Sequence, residues 1–198
     1  MHQVRKIFSD YEERYEISLS GSGGQGLILA GTILAEAVGI HDGKNVAQTQ
    51  SYGPEARGGA SRSDIVVSPG VIYYPKTLKL DLLLTLTQEA CDTYYLKLHE
   101  EGILVVDSDL VTEPPAREYK AFPFTRVAKE KLGTAIFANI IALGTLAALT
   151  RVVSKVALIE AVKNRAPKGT LESNLRALEL GFDLTKKRRG KARAERTR

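Results

Sequence analysis

The chain is poor in the residues that build covalent and metal-bound sites. Its 198 residues include one cysteine (Cys91), three histidines and no tryptophan. A single cysteine excludes an intrachain disulfide, a cysteine-based zinc site and an iron–sulfur cluster held by this chain alone. Any cluster chemistry therefore belongs to a partner. Long hydrophobic runs are missing too. The most apolar stretch, residues 136–149, contains Asn139, Gly144 and Thr145 and falls short of the roughly 20 residues that span a bilayer. The first residues, among them Asp10, Glu12 and Arg14, show no apolar run of a secretory signal, so a cytoplasmic protein with no membrane partner is expected.

Positive charge is scarce outside one segment. The formal charge is +5, but residues 186–198 carry eight basic side chains against the single acid Glu195, which leaves the remainder at about −2. The high isoelectric point thus says little about the folded body. The basic run reads as a solvated, disordered tail over residues 185–198, with weak contact to RNA, an acidic partner or anionic lipid as the alternative. Residues 1–14 are charged and unpatterned and read as a lead. Between them, residues 15–184 are apolar enough for one domain.

What is present is organised around Ser20-Gly21-Ser22-Gly23-Gly24-Gln25-Gly26. Glycines 21, 23 and 26 fit G-x-G-x-x-G, placed between a short strand (residues 15–19) and an apolar helix over residues 27–38. Such a turn offers backbone N–H groups to a phosphate or carboxylate beside the positive end of the helix. Alternatively the glycines only let the helix pack tightly on the sheet. Gly23 is expected at positive φ, and Gly39 is expected to end the helix. A second strand over residues 45–50 follows, with His41 in the turn before it. A dinucleotide-binding fold places an acid near the end of that strand for the ribose; Gln48, Thr49 and Gln50 stand there instead, which disfavours the dinucleotide reading.

The second informative stretch is Ser51-Tyr52-Gly53-Pro54-Glu55-Ala56-Arg57-Gly58-Gly59-Ala60-Ser61. A Gly-Pro turn, a Gly-Gly pair and terminal hydroxyls mark a shaped loop. Arg57 either presents a bidentate fork to a carboxylate or phosphate, or pairs internally with Glu55. Further along, residues 64–68 and 71–74 read as a hairpin around Pro69-Gly70. Residues 80–86 and 102–107 read as buried strands flanking a helix over 88–98, capped by His99, with Cys91 a small buried hydrophobe. Residues 118–124 read as a further strand, and helices follow over 127–132, 136–149, 155–164 and 170–180. The alternation predicts an α/β fold: a Rossmann-like, open, mostly parallel sheet with flanking helices and a helical C-terminal part. Residues 136–149 offer more apolar surface than one side of a sheet needs, so that helix is expected in a subunit interface. Asn139 either caps a backbone group or registers that interface.

Taken together, Gly21-Ser22-Gly23-Gly24-Gln25-Gly26, Gln50-Ser51-Tyr52-Gly53-Pro54-Glu55-Ala56-Arg57-Gly58-Gly59, Asp107-Ser108 and Ala138-Asn139 resemble the gamma subunit of 2-oxoacid:ferredoxin oxidoreductases over about residues 15–184. The Gln-Ser-Tyr-Gly-Pro-Glu-Ala-Arg-Gly-Gly loop is most similar to the 2-oxoglutarate type. The resemblance implies one subunit of an enzyme that oxidatively decarboxylates a 2-oxoacid, transfers the acyl group to coenzyme A and reduces ferredoxin. It implies alpha, beta and delta (ferredoxin-like) partner subunits. Thiamine diphosphate, Mg and iron–sulfur clusters are then held by partners, and none by this chain alone. It further implies that the Ser51–Ser61 loop faces the thiamine site or the entering coenzyme A, and that the Gly21–Gly26 turn contacts a coenzyme phosphate or braces that loop. No catalytic or metal-binding residue is assigned here. A pyruvate or branched-chain 2-oxoacid enzyme, a free-standing nucleotide-binding enzyme and a nucleic-acid-binding module stand as alternatives.

Overall fold

Tyr15, Ile17 and Leu19 alternate with Glu16, Ser18 and Ser20, and all six are buried. A strand covered on both faces sits in the middle of a sheet, and β1 (Tyr15–Ser22) does. The computed structural model describes residues 14–52 and 60–195. Its six-stranded sheet has the order β2-β3-β1-β4-β5-β6, with β2 spanning Asn45–Tyr52, β3 Ala60–Ser68, β4 Leu80–Thr85, β5 Leu98–Asp107 and β6 Tyr119–Phe122. β1, β4, β5 and β6 run parallel, while β3 is antiparallel to both β1 and β2. The α/β expectation of an open, mostly parallel sheet holds. Its second strand is nevertheless not the neighbour of its first, because β3 lies between them.

Two local expectations give way here. Residues 64–68 belong to the single nine-residue strand β3, and residues 71–74 form no strand: Val71, Tyr73 and Tyr74 are exposed. Both edges of β3 are already taken by β1 and β2, so a returning hairpin partner has nowhere to bond. The helix after β4 also stops early. α2 (Gln88–Tyr94), capped by Thr87 whose hydroxyl accepts the Ala90 N–H at 3.3 Å, passes through one 3₁₀ turn into β5. Leu98 must pair with Leu80, which places His99 in the strand rather than at a helix cap.

One face of the sheet carries the main core. α1 (Leu27–Glu36), α4 (Ala138–Thr150), α5 (Lys155–Arg165) and α6 (Leu171–Glu195) cover Ile17, Leu19, Ile65, Leu82, Leu84 and Val105. The other face is smaller, with Leu83, Leu104 and Val106 packed under Cys91 and Val111. α3 (Phe124–Leu132) follows β6 directly. α1 does not end at Gly39 but runs into a π-helical turn, Ala37–His41, and the left-handed residue is Gly43 (φ 68°). Gly39 serves packing instead: a Cβ there would lie 2.6 Å from Val46 Cγ1.

α4 corrects the largest sequence expectation. Eleven of its thirteen residues are buried within this one chain, so the helix is an internal axis and not a subunit interface. α6 makes this possible by crossing it at Gly144 and Gly181. A Cβ on Gly144 would come within 2.3 Å of the Leu178 carbonyl, and one on Gly181 within 2.1 Å of the Ile141 carbonyl. Thr145 Oγ1 donates to the Gly181 carbonyl at 3.0 Å across this contact. α6 then continues to Glu195, through most of the basic run. No helix among the described residues is long and apolar enough to cross a membrane.

Candidate functional site

The register brings the two sequence-singled stretches together. Gly21 pairs with Ser61 and Ser22 with Ala60, while Tyr52 pairs with Ser61 and Ser51 with Arg62. The end of β1, the end of β2 and the start of β3 thus meet at the carboxyl end of the sheet. Open α/β sheets bind ligands at that end. Gly53, Pro54, Glu55, Arg57, Gly58 and Gly59 lie outside the described residues.

The glycine turn is braced from within and open outward. The Ser22 N–H donates to Gln25 Oε1 at 2.8 Å, so Gln25 folds back over the turn. Gly21 makes room for it: a Cβ there would sit 2.2 Å from Gln25 Oε1. The left-handed angles belong to Gly24 (φ 87°) and Gly26 (φ 71°) rather than to Gly23. Because β1 extends to Ser22, the reversal begins later than the sequence pattern suggests. Gly23 and Gly24 are exposed, and a Cβ on Gly24 would meet nothing within 4 Å. Gly26 is the N-cap of α1, which has no side-chain cap and no acidic residue in its first turn. The first N–H groups of this helix therefore remain the kind of donor set that suits an anion.

Asn139 is the second brace. Its Nδ2 donates to the Gly26 carbonyl at 2.9 Å, and its Oδ1 accepts the Ile140 N–H at 2.8 Å. Of the two roles open to it, the structure assigns the backbone contact. A Cβ on Gly26 would lie 2.5 Å from that Nδ2, so glycine is needed for both space and angle.

Arg62 gave no signal in the sequence, yet it stands beside both stretches. Its guanidinium bonds Asp64 at 2.9 Å and lies 4.8 Å from the centre of the Tyr94 ring. Its Nε and Asp64 Oδ1 are buried with no hydrogen-bond partner among the described residues. A fixed positive charge thus adjoins the β2–β3 connection.

Asp107, from the Asp107-Ser108 pair, ends β5 with a structural task. Its carboxylate accepts from the Thr125 N–H (2.9 Å), Thr125 Oγ1 (2.5 Å) and the Asp109 N–H (3.0 Å), capping α3 from outside the helix. Burial pushes this carboxyl above its ordinary value although those donors pull the other way. Cys91 is fully buried, and burial pushes its thiol up. Among the described residues no group of three His, Cys, Asp or Glu side chains stands close enough to hold a metal ion. Among the described residues the geometry offers walls, donors and one guanidinium held by Asp64, but no base-oriented nucleophile.

The sequence profile of pyruvate ferredoxin/flavodoxin oxidoreductases matches residues 16–184. The chain belongs to this family. Within it, the chain is 48% identical over 178 residues to the 2-oxoglutarate synthase subunit KorC of Methanocaldococcus jannaschii, covering 87% of this chain and 95% of that one. It is 28% identical over 184 residues to the pyruvate/ketoisovalerate oxidoreductases common subunit gamma of Pyrococcus furiosus, covering 86% and 96%. The keto/oxoacid ferredoxin oxidoreductase gamma subunit of Geobacter sulfurreducens superposes with a TM-score of 0.79 at 52% identity, over 86% of this chain and 95% of that one. The resemblance read from the glycine turn and the Ser51–Ser61 loop is thus borne out at the level of family and subunit.

Proposed function

We propose that the chain is the gamma subunit of a multisubunit 2-oxoglutarate:ferredoxin oxidoreductase, working in the cytoplasm beside alpha, beta and delta subunits with ferredoxin as acceptor. The observation that carries this reading is identity of 48% over 95% of a 2-oxoglutarate synthase subunit, against 28% over a pyruvate/ketoisovalerate gamma subunit of similar coverage. No observation favours the pyruvate, branched-chain or free-standing alternatives. Thiamine diphosphate with Mg, held by partners, would supply the decarboxylation chemistry, and partner iron–sulfur clusters would carry the electrons. This chain contributes positioning. The N–H groups opening α1, the Gly21–Gly26 turn and the loop with Ser51, Tyr52, Gly53, Pro54, Glu55, Arg57, Gly58 and Gly59 form one wall of the coenzyme A or thiamine surroundings. Arg57 holds an anionic group of the substrate there.

The test is to purify the tagged chain gently from its host and assay 2-oxoglutarate- and coenzyme A-dependent reduction of a viologen dye. Co-purifying thiamine-containing subunits with that activity support the reading; a solitary protein that retains a nucleotide overturns it. In the assembled enzyme, Arg57→Ala is expected to lower kcat/KM by about 10- to 100-fold, the loss of a charge-assisted hydrogen bond of about 1.5–3 kcal/mol. The variant subunit is expected to keep its far-UV circular dichroism and its place in the complex. Unchanged kinetics would remove Arg57 from the site.

A further inference from the structure

Arg151 is, among the described residues, the one non-glycine residue with a left-handed backbone (φ 55°). It closes α4, its N–H donating to the Ala147 carbonyl at 2.9 Å. α3 ends in the same way at Gly133 (φ 77°), whose N–H donates to the Lys129 carbonyl at 3.0 Å. Glycine is the unstrained residue at such a position. At the end of α4 the chain carries a guanidinium instead, and that side chain has no hydrogen-bond or ion-pair partner among the described residues. A cation near a helix C-terminus gains from the helix dipole, but a neighbouring position would provide this without the left-handed strain.

The guanidinium borders a groove of about 570 Å³ whose lining includes Asp42, Lys44, Val153, Lys155 and Phe182. Lys44 Nζ is anchored on the Val152 carbonyl at 2.8 Å, and Lys155 Nζ lies 5.0 Å from the centre of the Phe182 ring while pairing with Glu179. The acid in the lining is held within it: Asp42 accepts the hydrogen bonds of the Ser154 N–H and hydroxyl, both at 2.7 Å, and its charge also acts on Lys44. Burial pulls the Lys44 ammonium below its ordinary value, a shift that a bound anion would reverse. The groove opens where β2 begins, at the amino end of the sheet. The thirteen residues of α4, about 20 Å, separate it from the glycine turn.

We propose that this groove is a second ligand site, in which Arg151, Lys44 and Lys155 hold a dianionic phosphate group against the apolar wall of Phe182 and Val153. Its size is that of a small-molecule pocket, and its three cations exceed the two acids beside them, Asp42 in the lining and Glu179 on Lys155, so the lining carries net positive charge with the Arg151 guanidinium unpaired among the described residues. The thermal unfolding of the full-length chain, measured with phenyl phosphate, inorganic phosphate or sodium chloride at matched ionic strength, tests it. Either phosphate compound at about 100 times its Kd is expected to raise Tm by several degrees above the chloride control. A larger shift with phenyl phosphate assigns a phosphate monoester whose carbon body lies on Phe182; equal shifts assign free phosphate.

Arg151→Gly is the decisive variant, because glycine keeps the backbone and removes the charge. It is expected to melt without ligand at the wild-type temperature or above, and to bind phenyl phosphate at least tenfold more weakly. Arg151→Lys, which keeps the charge, is expected to retain part of the shift. A phosphate shift no greater than that of chloride, or one equal in wild type and Arg151→Gly, overturns the site. An unliganded Arg151→Gly that melts well below wild type overturns it too, since the arginine would then be a structural cap. None of these outcomes depends on the activity of the assembled enzyme.

Discussion

Asn139 joins two parts of the chain that are 113 residues apart, the exit of the glycine turn and the first turn of α4. Removing it affects more than one bond. In Asn139→Ala the Ile140 N–H is left buried without the Oδ1 acceptor, and the Gly26 carbonyl keeps only the Ala30 N–H at 3.0 Å. The expected loss is about 1–3 kcal/mol of unfolding free energy by urea titration. Asn139→Asp is expected to be worse, because a carboxylate would face the Gly26 carbonyl oxygen with no proton to donate. Stability equal to wild type in both variants would show that the brace is dispensable. The need for a polar group at this position was legible in the sequence as an interruption of an apolar run. Its partner was not, since nothing local to residue 139 points to residue 26.

α4 and α6 illustrate the same limit at the scale of elements. A helix apolar on nearly every side announces burial but not what buries it. The sequence pattern pointed to another subunit, whereas the chain covers α4 itself by turning α6 across it. That crossing depends on two glycines 37 positions apart, each nearly touching a backbone carbonyl of the other helix. Gly181→Ala is therefore expected to push the helices apart, with a loss of about 1–3 kcal/mol as an overpacked contact. The matched control is Gly133→Ala, where a Cβ meets nothing within 4 Å and left-handed strain of about 1–2 kcal/mol acts alone. Thermal scans of the two, with near-UV circular dichroism as the readout of packing, separate the effects: loss of tertiary signal belongs to Gly181→Ala only. The hairpin expected over residues 64–74 failed for a related reason. Pairing partners are chosen by the whole sheet, and β3 had no free edge left.

At the scale of the molecule, α1 and α5 are held together by Glu36. Its carboxylate takes hydrogen bonds from Asn164 at 2.8 Å and from Arg165, with His41 3.7 Å away. Burial raises this carboxyl, but the bonds from Asn164 and Arg165 outweigh it and hold the group below its ordinary value of 4.5. The folded value lies below the unfolded one, so the contribution to stability is fully present above the ordinary carboxylate range and is lost as pH falls through the folded value. Glu36→Gln is expected to be less stable than wild type at pH 7, with the difference shrinking between about pH 5 and pH 3. A difference constant across that range would place the stabilisation in packing rather than in charge.

The sequence by itself determined the class of the fold, the position of the glycine turn, the buried strands at residues 80–86 and 102–107, the burial of Cys91 and, through two glycine-rich stretches, the family. These rest on local patterns: period-two and buried apolar runs, glycine where backbone must come close, and a shaped loop. Only the tertiary structure decided that β3 inserts between β1 and β2, that Asn139 clamps Gly26, that α6 covers α4, and that Arg62 stands beside the turn with Tyr94 beneath its guanidinium. It also decided that Arg151, Lys44 and Lys155 share one groove. Each of these pairs residues distant in the chain, whose meeting depends on which sheet edges are free and which surfaces remain uncovered after the local elements have formed.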